Sequence, residues 1–379
     1  MDLQFSQEQE MLRDTVRALL VEHSSMDDVR AFEDDPAGFK PELWAQFGEL
    51  GLAGLMLPEA YGGSGMGPVE GAIVYEELGR ALAASPHFVS AICSAAALLR
   101  AGSEEQKTEW LPKLASTAAI FTPAWLERGN GFGPEGVQMR AVGDGDGCLL
   151  SGEKCHVAYA SSADRLLVLA RNDDGAVDLL LVDPAAGGVS MEQRLTMGSE
   201  AQYLVAFDGV RVGAGQRVGP AGSGWETWAA VMHEAVVLLA AQASGGCQRA
   251  LEITVEYSMD RHQFDKPLAA FQAISHYLAD AQTLVDGATT LAYEAAWTQE
   301  QGRSAAKLAP MAKLFACNTY RDVTAMATQV HGGMGFTVEY DIQLFFRRAK
   351  QLQLTWWDTR YLEDLIAAAV LDGPGAEAA

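Results

Sequence analysis

Two loops carry residue types that can do chemistry. The first, Arg261-His-Gln-Phe-Asp-Lys-Pro267 with Phe271-Gln272 close behind, joins two long stretches of helical pattern. Arginine keeps its charge and presents a planar fork of donors, which suits it to clamping a pyrophosphate. The same loop also reads as a surface turn whose Arg261 and Lys266 offset helix C-terminal dipoles. The second is Gln329-Val-His-Gly-Gly-Met-Gly-Phe-Thr337. Three glycines in four positions after a helix let a ligand approach the backbone without Cβ obstruction, and Gln329 adds an amide for a ring edge or a phosphate. Alone, such a stretch is equally a helix stop. Some 68 residues apart, the two loops together are more specific than either. A third feature is Glu234, a carboxylate inside the apolar run 231–241. Buried and unpaired it would cost several kcal/mol, so it needs a partner or a task; facing solvent or pairing with His233, it needs neither.

These residues need elements to hold them. Residues 1–120 read as helices: Ser6 with Gln9 makes a capping-box start before Leu12, Val16, Leu19 and Leu20, and Ser103 with Gln106 repeats it before Trp110 and Leu111. Apolar residues recur at helical spacing over 69–82, and the Gly/Pro-rich stretch 57–65 is a loop. Over 121–222 the period becomes extended. Runs 165–171 and 177–182 flank Asn172-Asp-Asp-Gly175, a hairpin signal; Gly143-Asp-Gly-Asp-Gly147 marks another turn and 202–208 a further strand, together a small antiparallel sheet. Beyond Gly222 come long helices, about 225–258, 270–301, 304–331 and 339–371, the last broken in two, with Gly302 and Pro310 placed to trim or kink the third. Short loops at 261–268 and 332–337 make these an antiparallel bundle. The expected fold is α+β in three domains: helical 1–120, β 121–222 and a C-terminal four-helix bundle 223–379, with a frayed Gly/Ala tail from Asp372.

Composition narrows the function classes. The 379 residues are 49% hydrophobic and 20% charged, too apolar for a disordered chain, and exceed the size of one core. Lys plus Arg number 27 against 50 Asp plus Glu, a formal charge of -23, which disfavours nucleic acid and anionic membrane surfaces. Five scattered cysteines form no CxxC pair and suit a reducing, cytoplasmic setting; the histidines show no metal-ligand spacing, so no metal is expected. The start lacks the pattern of a signal or transit peptide. The stretch 228–245, broken by His233, Glu234 and Gln242, reads as a buried helix instead of a membrane span.

The order of helical, β and bundle regions, the Arg261/Gln263/Phe264 loop with Phe271-Gln272, and Gln329-x-His-Gly-Gly-x-Gly-Phe-Thr followed by Arg347 resemble the acyl-CoA dehydrogenases over essentially the whole length. The resemblance implies a non-covalent FAD between subunits. Arg261, Gln263, Phe264, Gln329, Gly332 and Gly333 would grip the adenosine diphosphate part of a flavin held mainly by a neighbouring chain. It implies α,β-desaturation of an acyl-CoA thioester, in which a carboxylate takes the α-proton and the β-hydrogen leaves as hydride to flavin N5. An electron-transfer flavoprotein is the implied acceptor.

Three departures stand out. The family's usual base is the Glu of a Glu-Gly-Thr motif, 27 residues after the glutamine, and that count lands on Trp356; Asp358 is the nearest carboxylate. In some members the base lies 26 residues before the loop arginine, which lands on Ala235, next to Glu234. A one-residue offset turns a side chain by about 100°. The flavin-facing strand, commonly Lys/Gln-x-Trp-Ile-Thr, reads Lys154-Cys-His156-Val157-Ala158 here, leaving backbone contacts from Val157 and Ala158. The Thr-Glu-Pro-x-x-Gly-Ser-Asp loop is replaced by Thr122-Pro-Ala-Trp-Leu-Glu-Arg-Gly-Asn, and Asp265 takes the place of a usual Gly. Losses at the ring and base with retention of the neighbour-facing loops resemble heterotetrameric acyl-CoA dehydrogenases of steroid side chains, where two related chains share a site. The expected function is a catalytic subunit, homo-oligomeric or heterotetrameric; a non-catalytic subunit completing a partner's FAD site and a flavoprotein oxidase of the same fold are the alternatives.

Overall fold

A computed structural model describes residues 4–198 and 200–372; the expected frayed tail beyond Asp372 lies outside them. The helices of the first part are α1 (Gln7–His23), α2 (Met26–Ala31), α3 (Pro41–Glu49), α4 (Pro68–Arg80), α5 (Ala95–Ala101) and α6 (Glu104–Ala115), with a π-helical turn at Phe88–Ser94 leading into α5. Both capping boxes form. Ser6 Oγ accepts from the Gln9 backbone N–H at 3.2 Å while the Gln9 side chain accepts from Ser6 N–H at 3.0 Å, and Ser103 with Gln106 repeats the pair at the same two distances.

The strands are β1 (Phe121–Ala124), β2 (Arg140–Asp144), β3 (Gly147–Ala158), β4 (Arg165–Arg171), β5 (Val177–Val182), β6 (Val189–Arg194) and β7 (Gln202–Val212). Then follow α7 (Gly224–Asp260), the short hairpin β8 (His262–Gln263) and β9 (Lys266–Pro267), α8 (Gln272–Glu300), α9 (Leu308–His331), α10 (Ile342–Leu354) and α11 (Thr359–Leu371). Gly302 sits past the end of α8 with φ 64°, and Pro310 falls in the first turn of α9, where a missing N–H is harmless. By length and composition alone α7 is apolar enough to cross a membrane despite its polar interruptions. Its most apolar part is nonetheless mostly buried inside the protein, in keeping with the buried helix expected from the sequence.

The chain divides into two compact units. The bundle unit takes the chain up to Val29, Gly67–Ala83 and the chain from Val236; the sheet unit takes Arg30–Met66 and Ala84–Ala235. In the bundle unit, α4 lies close against α7 because glycines meet backbone. A Cβ on Gly79 would come within 1.9 Å of the Gln242 carbonyl oxygen, and one on Gly245 within 1.9 Å of that of Glu76. Arg17 forks onto the buried Glu77 at 2.9 and 2.7 Å, and Arg80 onto Glu252 at 3.0 and 2.8 Å.

In the sheet unit the strand order is β1-β4-β2-β3-β7-β6, with β5 on β4. The two expected turns close the antiparallel pairs β2–β3 and β4–β5. The sheet is nonetheless mixed: β1 runs parallel to β4, with Phe121 opposite Arg165, and β2 meets β4 in parallel at Arg140. Turn residues report hairpin partners only, and β1 has no adjacent turn; its pairing is made across some 40 residues of chain.

Candidate functional site

The two loops singled out by residue type meet in the bundle unit. Tyr257, in the last turn of α7, stacks on His331, the last residue of α9, with centroids 4.3 Å apart and planes at 23°. The Tyr257 hydroxyl lies 3.5 Å from the His331 carbonyl oxygen, and Tyr340 closes the cluster edge-on to both rings. Arg261 therefore begins four residues from one side of this stack and Gly332 one residue from the other.

Both loops are open. Arg261, Gln263, Gln329, Gly332 and Gly333 are exposed, and the side chains of Arg261, Gln263 and Gln329 have no hydrogen-bond or ion-pair partner among the described residues. A Cβ on Gly332 or Gly333 would meet nothing within 4 Å; Gly332 needs its freedom for its φ of 63°. The β8–β9 hairpin turns on Phe264 and Asp265, with φ of 53° and 62°. Both central positions are left-handed, as a type I′ turn requires, and a Phe there is strained. The turn holds Phe264 85% exposed, with Phe336 at 78% and Val338 at 69% on the glycine loop side.

The turn between α10 and α11 is closed. Trp356 and Trp357 are buried and take φ of 53° and 76°. The Lys313 ammonium, fully buried, donates to the carbonyls of Leu352, Thr355 and Trp357 at 3.0, 3.0 and 2.9 Å. Burial holds its pKa below the ordinary lysine value. Asp358 is the N-cap of α11, its carboxylate accepting from the Tyr361 N–H at 2.9 Å.

In the sheet unit, Lys154 is fully buried and donates to Glu127 at 2.6 Å and to the Trp125 carbonyl at 3.3 Å. Glu127 also accepts from the backbone N–H groups of Gln138 and Met139 at 3.0 and 2.9 Å, fixing the segment that follows Thr122. A bulge between Lys154 and Val157 lets His156 adopt φ 54° and project outward, its Nδ1 2.8 Å from the Gln202 side-chain oxygen. Val157 and Ala158 are buried, and the Ala158 carbonyl already accepts from the Thr122 hydroxyl at 2.6 Å. Glu234 is half-exposed and paired with Arg100 of α5, while Ala235 beside it is buried. The one-residue offset thus sends the carboxylate and the counted position to different faces of α7. Among the described residues no three His, Cys, Asp or Glu side chains converge as a metal site.

The description "Acyl-CoA dehydrogenase, N-terminal domain" matches residues 6–118 and "Acyl-CoA dehydrogenase, C-terminal domain" residues 222–371. A probable acyl-CoA dehydrogenase, YngJ of Bacillus subtilis, is 32% identical over 366 residues, 93% of this chain and 95% of its own length. This chain belongs to the acyl-CoA dehydrogenase family. Its fold matches the paired Tcur3481–Tcur3483 steroid ACAD with a TM-score of 0.85 at 32% identity, covering 95% of this chain and 98% of that one. It matches a glutaryl-CoA dehydrogenase of Mycobacterium smegmatis in complex with FADH2 with a TM-score of 0.90 at 25% identity, covering 96% and 95%.

Acyl-CoA dehydrogenases of this family bind FAD, and the groups present here fit that cofactor unevenly. The loop pair offers a guanidinium and two amides without partners among the described residues and two unobstructed glycines, a donor set suited to a diphosphate and its nucleoside. Strand β3 offers an exposed imidazole at His156 but no free carbonyl at Ala158. Sequence reasoning missed the Tyr257–His331–Tyr340 cluster, Lys313 and Arg100. Helical spacing places Tyr257 and Arg261 one turn apart, the only signal for the first; the partners of Lys313 and Arg100 are 39 to 44 and 134 residues away.

Proposed function

We propose that this acyl-CoA dehydrogenase chain is a subunit of an FAD-dependent enzyme that desaturates an acyl-CoA thioester between Cα and Cβ, and that it completes the FAD site of a homologous partner which supplies the base. The observation that carries this reading is a contrast. The loop residues remain open, while both carboxylates near the family's base positions are engaged, Glu234 with Arg100 and Asp358 as a helix cap. FAD, when bound, supplies the acceptor for the hydride. Arg261 would hold the pyrophosphate, Gln263 and Gln329 the nucleoside edges, and Gly332 and Gly333 would allow close approach; Phe264 and Phe336 would lie against the partner chain. The paired steroid ACAD supports a heteromer and, for the acyl group, a bulky ring-bearing thioester. An electron-transfer flavoprotein is the acceptor we expect, and a cytoplasmic setting suits five free cysteines.

Co-purification with flavin quantitation tests the proposal. Expressed alone, the chain should be colourless or nearly so, and co-expression with a homologous chain should yield a yellow complex with less than one FAD per chain. A yellow protein that bleaches with acyl-CoA without any partner overturns it. One observation favours catalysis within this chain instead: Glu234 is an exposed carboxylate one residue from the α7 position counted for the base in some family members. Loss of bleaching in Glu234→Gln with flavin retained would establish that second reading, and peroxide release without an added acceptor would mark an oxidase.

A further inference from the structure

His331 stands between the two open loops and is built unlike the residues around it. The imidazole is 3% exposed. Its Nδ1 lies 2.8 Å from the Ala327 carbonyl oxygen, one helical turn back, so the neutral ring carries its proton there and donates. That leaves Nε2 a bare acceptor, and it is buried without a partner among the described residues. One ring face stacks on Tyr257, and Tyr340 meets the ring edge-on at 5.3 Å.

The charged and titratable groups near it are few. Tyr257, Asp260 and Arg261 close α7, and Tyr340 and Asp341 precede α10; both tyrosine rings face the imidazole, and Asp260 and Asp341 act on Tyr340. No carboxylate pairs with His331 among the described residues. A second proton would therefore make Nε2–H a buried donor with no acceptor, in a place where charge is poorly solvated. Gly332, immediately after it, takes φ 63° and ψ −137°, so the glycine loop starts at the residue next to the imidazole, while the ring stack and the Tyr257 hydroxyl tie His331 to the end of α7.

We propose that His331 is a positioning residue which, in its neutral form, holds the Gly332–Phe336 turn and the Arg261 hairpin at one fixed spacing, and that its protonation releases both loops together. The proposal rests on the functional reading only where FAD is the ligand; the coupling of the loops is a property of the chain itself. Burial holds the imidazole below its ordinary value. The sign follows: the loops are locked at and above the ordinary histidine range and loosen as pH falls through the lowered value.

The test compares wild type, His331→Phe, His331→Ala and Tyr257→Phe by hydrogen exchange at pH 7.5 and 5.0, corrected for intrinsic rates, on peptides covering 261–271 and 332–340. In wild type both peptides should open together at low pH, by about threefold or more. His331→Phe keeps a ring on Tyr257 but cannot titrate, and should be flat with pH. His331→Ala should be loose at both pH values, and Tyr257→Phe, which keeps the stack, should follow wild type. Wild-type loops that do not respond, or one loop responding alone, overturn the proposal, as does a His331→Phe profile equal to wild type. FAD titration of the same proteins with the homologous partner present should weaken at pH 5.0 in wild type and not in His331→Phe. If no FAD binds at either pH, the functional reading fails, and the exchange data still decide the role of His331.

Discussion

Two turns of one bundle show opposite solutions to similar local geometry. The turn after α9 and the turn after α10 both depart from helix through left-handed backbone. After α9 the left-handed residue is a glycine, nothing crowds it, and the neighbouring Arg261 and Gln329 side chains have no partner among the described residues. After α10 the left-handed residues are two tryptophans, and a buried lysine ties three carbonyls around them. Left-handed backbone costs about 1 to 2 kcal/mol per non-glycine residue, so the second turn persists only because burial of the indoles and the Lys313 bonds offset that strain. One turn leaves its donors and glycines open; the other, built on two tryptophans and a buried lysine, is closed by packing.

The comparison can be broken at four points. Lys313→Met should have the largest effect, because three carbonyls lose their shared donor: about 3 to 4 kcal/mol less stable to urea, with loss of the α10–α11 turn. If stability is unchanged, the lysine is not what holds the turn. Next comes acid. His87 of the sheet unit is fully buried, its Nε2 3.1 Å from the Leu52 carbonyl, and burial lowers its pKa to about 4. Its contribution is fully present above the ordinary histidine value and is lost as pH falls toward 4, about 3 kcal/mol in all, and His87→Leu should flatten that part of the pH profile. A profile unaltered by His87→Leu would assign acid sensitivity elsewhere.

Smaller effects follow at the open loops. Arg261→Ala should weaken FAD binding in the assembled enzyme about tenfold or more while changing unfolding free energy by less than about 0.5 kcal/mol, since the side chain has no partner among the described residues. A large stability loss would mean that the loop is structural after all. The least change is expected at Asp358, where Ala should cost about 1 kcal/mol and Asn almost nothing, as for a helix cap. Activity of the complex should survive Asp358→Asn; its abolition would return the base to this turn.

Much of the frame was legible because its signals are local. Ser6 with Gln9 and Ser103 with Gln106 are complete within four residues, and Asn172-Asp-Asp-Gly175 closes the hairpin it announces. The open loops were readable for the same reason, as their chemistry sits in contiguous motifs. What escaped was non-local. The parallel pairing of β1 with β4 has no turn to mark it, and a lone Lys313 in a helical run reads as a solvated cation until its acceptors arrive from α10 and the residues after it. Glu234 in an apolar run was an ambiguous signal, and Arg100, 134 residues away, is its partner.

The discontinuous make-up of the bundle unit has a consequence for how the chain is born. The sheet unit is fully synthesised once Ala235 has emerged, but α1 and α4 belong with helices that come much later. Their apolar faces, Val16, Leu19 and Leu20 on one and Ile73, Val74 and Leu78 on the other, belong to helices that can meet each other early, but α4 also packs on α7 and α8, which come later. For α8 that is roughly 200 residues of further synthesis, about 10 to 40 s at ordinary translation rates. Only over the last roughly 40 to 65 residues of that interval, between Ala235 and α8, does the nascent chain carry a complete sheet unit beside N-terminal helices that still lack α8. Chaperone occupancy on ribosome-bound intermediates should peak in that window and fall as α8 clears the exit tunnel.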